Sequence, residues 1–323
     1  MNALKNQVVK RCPANGYLKR LLCLMVIFCL GLEQTGLAQV APQFVMPAYL
    51  QNLAPVADQF HPVHLRSIAL DPETDRYTVF LDKGDADDLQ PQDAQEAAKT
   101  LMAYVEIGLR LPNSMFWVNL RPDSPRDVID PYLAQTDVGK VLLEADLQLK
   151  KDLARFTSPD TAEGRNYWAA LYKKAERVFG AEDVEIPTLT RPWIVPGEII
   201  IADAQDSMYV YKATLKVMLE QDHLKDASFY NYSDPRMREM NAYSSELIRA
   251  TILPKLTREV NASERYAGLR QVYYSLILAQ QLKQKQGFAA SPGGAKINTK
   301  DLSGFVSVQP WSADTYYAAY RKS

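Results

Sequence analysis

The chain is 323 residues long, 47% hydrophobic and 10% aromatic, with 37 basic and 38 acidic residues for a net charge of −1 at pH 7. That balance argues against nucleic acid or an anionic membrane surface as the main partner, since both call for basic patches. All three cysteines (Cys12, Cys23 and Cys29) lie near the N-terminus. The rest of the chain therefore has no disulfide, thiol nucleophile or Cys-ligated metal centre.

The first 38 residues read as a secretory signal peptide. Lys5, Lys10, Arg11, Lys19 and Arg20 precede an apolar run from Leu21 to Leu32, and Gly36-Leu37-Ala38 puts small residues at a cleavage site after Ala38. A spanning helix needs about 20 apolar residues, and Glu33 interrupts this run well before that length. The expected product is periplasmic or secreted, with no transmembrane segment after signal removal. It carries 32 basic against 37 acidic residues, a net charge of −5. At such a length a chain buries about three quarters of its unfolded surface, so a core alone can hold it together.

Residues 39–62 form a Pro-punctuated lead-in, and residues 63–323 read as a single α+β domain with a sub-boundary near 181–190. The first signal in that domain is a hairpin. His64–Leu70 and Tyr77–Leu81 are β-rich and flank the turn sequence Asp71–Asp75. An acidic loop, Asp82–Asp88, leads to a helix over Asp93–Leu109, where Ala94, Ala97, Ala98, Leu101, Met102, Val105 and Leu109 share one face. Met115–Leu120 reads as a buried strand.

The middle of the chain predicts an antiparallel helix pair. Val138, Val141, Leu142, Ala145, Leu149 and Leu153 mark the first helix, capped by Thr136 or Asp137. Ser158-Pro159 signals the start of the second, which is expected to bury Trp168, Leu171, Tyr172, Ala175, Val178 and Phe179 before Gly180 closes it. From Ile186 the period changes to two. Trp193–Val195 and Glu198–Ala202 are extended, and along Met208–Leu219 the alternation predicts Tyr209, Tyr211, Ala213, Leu215, Val217 and Leu219 on one face. Two long helices follow, about 235–260 with a kink or break at Pro254 and 263–285 capped by Ser263. The chain ends with an extended piece near Phe305–Val308 and a helix capped by Ser312. Segregated strands and helices predict α+β: antiparallel hairpins packed against amphipathic helices, with a helix-rich middle and C-terminal half.

Candidate chemistry is sparse. His61-Pro62-Val63-His64 spaces two imidazoles for one metal, and Asp82, Asp85, Asp87 and Asp88 offer carboxylates to a hard cation such as calcium, although without the EF-hand order. Glu144 and Asp146 can be read as a paired-carboxylate site, yet residues two apart on a helix do not face each other. No Gly-x-Ser-x-Gly elbow, Ser-x-x-Lys, phosphate loop or His-Glu-x-x-His motif is present, and no cofactor is expected. His223 reads as an exposed loop residue. The 18 tyrosines are the positive feature: clusters at Tyr230/Tyr232, Tyr273/Tyr274 and Tyr316/Tyr317/Tyr320 could line a groove for a glycan or protein partner.

Phe116–Leu120 together with Thr136–Asp152 resembles a block found in exported bacterial proteins of unknown function, a similarity that runs through Trp168 to the Pro254 helix. The resemblance implies export and a shared fold, and it brings no activity or site. The expected role is a binding or interaction module of the cell envelope. The alternatives are a hydrolase that acts on an envelope polymer through Glu144 or Asp146, and a calcium-stabilised structural protein.

Overall fold

The computed structural model describes residues 10–12, 59–71, 76–111, 131–180, 191–203, 207–224, 233–285, 302, 304–308 and 313–322. Of the expected signal segment and lead-in, only residues 10–12 and 59–62 fall within this set, as do none of Met115–Leu120, Tyr230, Tyr232 or 181–190. Strands β2 (His64–Asp71) and β3 (Arg76–Asp82) form one hairpin, and β4 (Pro192–Asp203) and β5 (Ser207–Leu219) form another. The two hairpins join in an antiparallel sheet of order β4-β5-β2-β3, and a three-residue strand β1 (Lys10–Cys12) runs parallel along β4. The helices are α1 (Pro91–Arg110), α2 (Pro131–Ala134), α3 (Asp137–Thr157), α4 (Ala162–Phe179), α5 (Glu220–Leu224), α6 (Pro235–Thr251), α7 (Leu253–Ala262), α8 (Ala267–Lys285) and α9 (Ala313–Lys322). The fold is α+β, as the segregation of periods predicts.

Several helix boundaries follow from local chemistry. Thr136 caps α3 by accepting from Gly139 N at 3.1 Å, Asp234 caps α6 by accepting from Arg236 N, and Ser263 accepts from Arg265 N ahead of α8. The break at Pro254 separates α6 from α7 at Ile252. The second helix of the central pair starts later than Ser158-Pro159 implies. Ser158 ends α3, and Thr161 caps α4 through Gly164 N at 3.0 Å. Gly164 is required there, because a Cβ would sit 1.8 Å from the Ser158 carbonyl oxygen. Leu171 and Phe179 are buried as expected, joined by Tyr167, whereas Tyr172 lies off that face and is exposed.

One contiguous core runs from the sheet through these helices, drawing on Ile68 and Val210 from the strands, Val105 from α1, Leu149 from α3 and Tyr273 from α8. Helices α1 and α8 pack tightly at Gly108, where a Cβ would meet the Ala279 side chain at 2.7 Å. Glycine inside a helix costs about 1 kcal/mol relative to alanine. Here that loss is offset by closer backbone packing.

The sheet shifts register at three places, one of them between Pro196 and Ile199 in β4, and the other two are bulges that decide the rest of the architecture. Leu65 pairs with Leu81 and Ser67 with Phe80, which leaves Arg66 as an extra residue in β2. Ile201 pairs with Val210 and Ile200 with Lys212, which leaves Tyr211 as an extra residue in β5. The single face predicted for β5 is therefore split. Met208 and Val210 enter the core before the bulge, and Leu215, Val217 and Leu219 after it. Tyr211 is turned out to 62% exposure, beside Tyr209 and Phe80.

Candidate functional site

Beyond Ser67 and Tyr209 the two hairpins part, because β2 pairs with β5 only from Ser67↔Tyr209 to Ala69↔Ser207. The strand edge thus bared on β5 is satisfied by helix side chains instead of a neighbouring strand. The Tyr274 hydroxyl accepts from Ala213 N at 3.3 Å, Asn261 exchanges two hydrogen bonds with Leu215 N and O, and Thr257 accepts from Val217 N. A buried edge left unsatisfied would be costly, so this substitution makes the fork stable. The fork encloses a cavity of about 230 Å³, lined by the 59–62 segment, His64, Arg66, Tyr211–Thr214, Asn261, Arg270 and Tyr274.

Arg66 spans the two bulges. Its Nε donates to Asp82 Oδ2 at 2.8 Å, and Nη1 donates to the carbonyls of Val210 and Tyr211, 3.2 and 3.0 Å away, and more weakly to the Tyr274 hydroxyl. Its Nη2 has no hydrogen-bond partner among the described residues. Although burial raises the Asp82 pKa, hydrogen bonds from Gly84 N and Arg66 outweigh it and hold the carboxyl below its ordinary value. The turn that aims Gly84 N at Asp82 needs a glycine: φ is +57°, and a Cβ would lie 2.0 Å from the His61 carbonyl oxygen.

His64 is 5% exposed, with its ring 4.3 Å from that of Tyr274. Its Nδ1 donates to the Pro62 carbonyl at 2.7 Å, which fixes the tautomer and leaves Nε2 as a bare lone pair. That nitrogen is buried without a partner among the described residues, 3.8 Å from Asp82 Oδ2. Burial is the main reason the imidazole pKa falls below its ordinary value. Arg270 closes the opposite wall. It is 8% exposed and donates to the carbonyls of Val260, Ser263 and Phe60. Burial lowers its pKa to about 10, so it stays cationic at neutral pH. No carboxylate pairs with it among the described residues.

The fork therefore presents donors: Arg66 Nη2, the remaining N–H groups of Arg270, and the Tyr274 hydroxyl, which already accepts twice and has its hydrogen left to give. A larger hollow of about 430 Å³ lies across Phe60, beside Asp85, Arg258, Glu259 and Glu264. Its charged groups are mostly exposed, and it contains no buried polar atom lacking a partner among the described residues. The smaller cavity is the better chemical candidate.

The residues singled out from the sequence are placed variously. His61 and Asp85 bond one another: Asp85 accepts from His61 N at 2.6 Å and lies 3.3 Å from its Nδ1. Asp82 serves Arg66, while Asp87 and Asp88 are exposed. No group of three or more His, Cys, Asp or Glu side chains among the described residues is placed to hold a metal ion. Glu144 is exposed, and Asp146 points elsewhere, held by Tyr316 and by Arg191 at 3.4 Å. The two carboxylates form no pair, as their spacing implies. Tyr273 and Tyr316 are 0% exposed and belong to the core, so they line no groove; Tyr320 stacks on Tyr316 and beneath Lys150. His223 is packed on Trp193, 4.7 Å between ring centroids, rather than exposed.

Of the tyrosines singled out from the sequence, Tyr274 lines the fork cavity, whereas Arg66 and Arg270 escaped the sequence reading. One signal was available. Arg270 interrupts the apolar stripe Leu269, Val272, Tyr273 and Leu276, and a charge at a core position marks either a buried pair or a site. Among the described residues no helix is long and apolar enough to cross a membrane. Compared with known proteins, the chain matches no family model, no curated protein and no solved structure.

Proposed function

We propose that this chain is a binding module of the cell envelope whose fork cavity takes an anionic group, a carboxylate or phosphate borne by a small molecule or a chain end. One observation carries the reading: Arg270 is a buried guanidinium with no carboxylate partner among the described residues, facing the same cavity as the spare donors of Arg66. A buried cation is costly unless something compensates it, and backbone carbonyls compensate only in part. An entering anion would complete the set through charge-assisted hydrogen bonds. The cavity volume suits a group the size of a carboxylate-bearing fragment rather than a polymer segment. Tyr211 in the cavity lining, with the Tyr209 ring edge-on beside it, offers an apolar face to the rest of the ligand. The envelope location rests on the N-terminal signal pattern. The hydrolase reading rests on Glu144 and Asp146, and of these Glu144 is exposed while Asp146 is held by Tyr316 and Arg191.

Thermal denaturation with matched pairs of ligands, each acid against its neutral amide or alcohol, tests the proposal. Acids should raise the melting temperature and their neutral counterparts should not, because a ligand at 100 times its Kd stabilises by about 2.7 kcal/mol. Tyr274→Phe keeps the ring contact with His64 and removes the hydroxyl; it should weaken acid binding about tenfold while the chain stays folded. Equal responses to acids and neutral analogues would overturn the reading.

A further inference from the structure

Strand β3 has a neighbour on one side only. It pairs with β2, and among the described residues nothing pairs with its other edge. Its sequence, Arg-Tyr-Thr-Val-Phe-Leu-Asp, is β-branched or aromatic at every interior position but Leu81, with no proline, glycine, lysine or internal charge. Tyr77 and Phe80 stand exposed, Phe80 at 55%. Edge strands normally carry a charge, proline or bulge that discourages pairing with another chain. The one bulge in this hairpin lies on β2, at Arg66, so β3 itself stays regular from Arg76 to Asp82.

We propose that the β3 edge is a homodimer interface, in which two copies pair β3 with β3 antiparallel about a two-fold axis at Val79. The charge pattern of the strand selects the occupant and the register. Centred on Val79, the pairing places Arg76 opposite Asp82 of the second copy at both ends, Tyr77 opposite Leu81, and Thr78 opposite Phe80. Shifting by two residues in either direction sets Arg76 opposite Phe80 or leaves it without a cross-strand partner. Asp82 can accept the additional bond, because Arg66 Nε and Gly84 N occupy only one site on each of its carboxylate oxygens. Opposite charges and aromatic pairs directly across an antiparallel ladder are both favourable. The symmetry makes the contact isologous and closed, so it ends at a dimer instead of a fibre. The two outer rows, each carrying Phe80 beside Tyr209, would then continue across the axis.

Sedimentation of the purified chain over a range of concentrations tests the inference, combined with engineered cysteines in a Cys12→Ser, Cys23→Ser, Cys29→Ser background. A concentration-dependent dimer is expected. Thr78→Lys, at an exposed position, should weaken dimerisation at least tenfold with unchanged circular dichroism, and Arg76→Glu should do the same by setting like charges opposite. Val79→Cys should form an intermolecular disulfide on oxidation, since residues facing each other across the axis lie about 4.5–5.5 Å apart at Cα. Tyr77→Cys should not, because its own copy lies about 13 Å further along the ladder at about 3.3 Å per residue. A monomer at every concentration would overturn the proposal. So would a dimer indifferent to Thr78→Lys, or equal cross-linking from Tyr77→Cys and Val79→Cys.

Discussion

Two polar clusters built from the same residue types behave differently in this molecule. Beneath α3, Asp152 is 1% exposed and accepts from Arg265 at 2.7 Å, Tyr266 at 2.8 Å and Gln148 at 3.2 Å, while Arg265 also reaches Glu259. Every charge there has an opposite. At the fork, Arg66 has an unused nitrogen, His64 an unused lone pair, and Arg270 only carbonyls. A saturated network rigidifies the junction it occupies, whereas an unsaturated one retains capacity for a ligand. Burial alone does not separate structural from functional polar residues. What separates them is whether the hydrogen-bonding capacity is already spent.

The largest effect expected from this contrast falls on the saturated cluster. Asp152→Ala leaves the buried Tyr266 hydroxyl without its acceptor and Arg265 without its main counter-charge. Since Arg265 is 42% exposed and can turn to water, the loss should be about 3 kcal/mol rather than the upper range for a broken buried pair. Urea denaturation reads it directly. Tyr274→Phe at the fork should cost only about 1 kcal/mol, because its hydroxyl accepts two long bonds, from Ala213 N at 3.3 Å and from Arg66 Nη1 at 3.5 Å. If the two substitutions cost the same, the distinction between the clusters fails.

Much of the scaffold was legible in the sequence because it is encoded locally. Thr136, Asp234 and Ser263 cap helices through their own neighbours, Pro254 breaks α6 from α7, and the hairpins follow from alternation around turn residues. The fork was not legible. Its residues come from 59–66, 211–214 and 261–274, and what unites them is a pair of bulges that no local pattern announces. The Tyr211 bulge reverses the parity of β5 midway, so strict alternation assigns Tyr209 and Tyr211 to the face that Met208 and Val210 occupy. Composition misled in a second way. Tyrosine abundance points to a groove, but Tyr273 and Tyr316 are buried, where burial raises the pKa of each and keeps both protonated.

A second effect sharpens the comparison by supplying a buried cation outside both clusters. Lys283 is 5% exposed and donates to the Leu111 carbonyl at the end of α1. Burial lowers its pKa from 10.5 to about 8. A lysine depressed in the folded state means that the unfolded chain binds more protons between about pH 8 and 10.5. Stability should therefore rise with pH across that window, by about 3 kcal/mol at most from this group. Lys283→Met should flatten the rise and leave the protein at least as stable at pH 7, because it removes a charge that burial opposes. Denaturation curves at several alkaline pH values decide this, and an unchanged slope in the variant would show that Lys283 stays protonated in the fold.

The smallest effect belongs to the fork itself, and its sign is informative. His64 has a folded-state pKa below the ordinary 6.5, burial being the first cause, with Arg66 and His61 lowering it further and the Pro62 carbonyl and Asp82 opposing. The unfolded chain thus takes up a proton first as pH falls below about 6.5, and stability should decline there. His64→Asn retains a donor for the Pro62 carbonyl and cannot titrate, so it should lose less stability than the parent between pH 7 and 5. His223, whose pKa burial also lowers, contributes with the same sign in both proteins and cancels in the difference. An anion bound between Arg66 and Arg270 would favour the protonated imidazole, which then carries a second donor, Nε2–H, toward Asp82. A saturating acid ligand should therefore narrow the acid sensitivity of the parent and leave that of His64→Asn unchanged. If the ligand shifts both proteins alike, His64 is an element of the wall and takes no part in holding the anion.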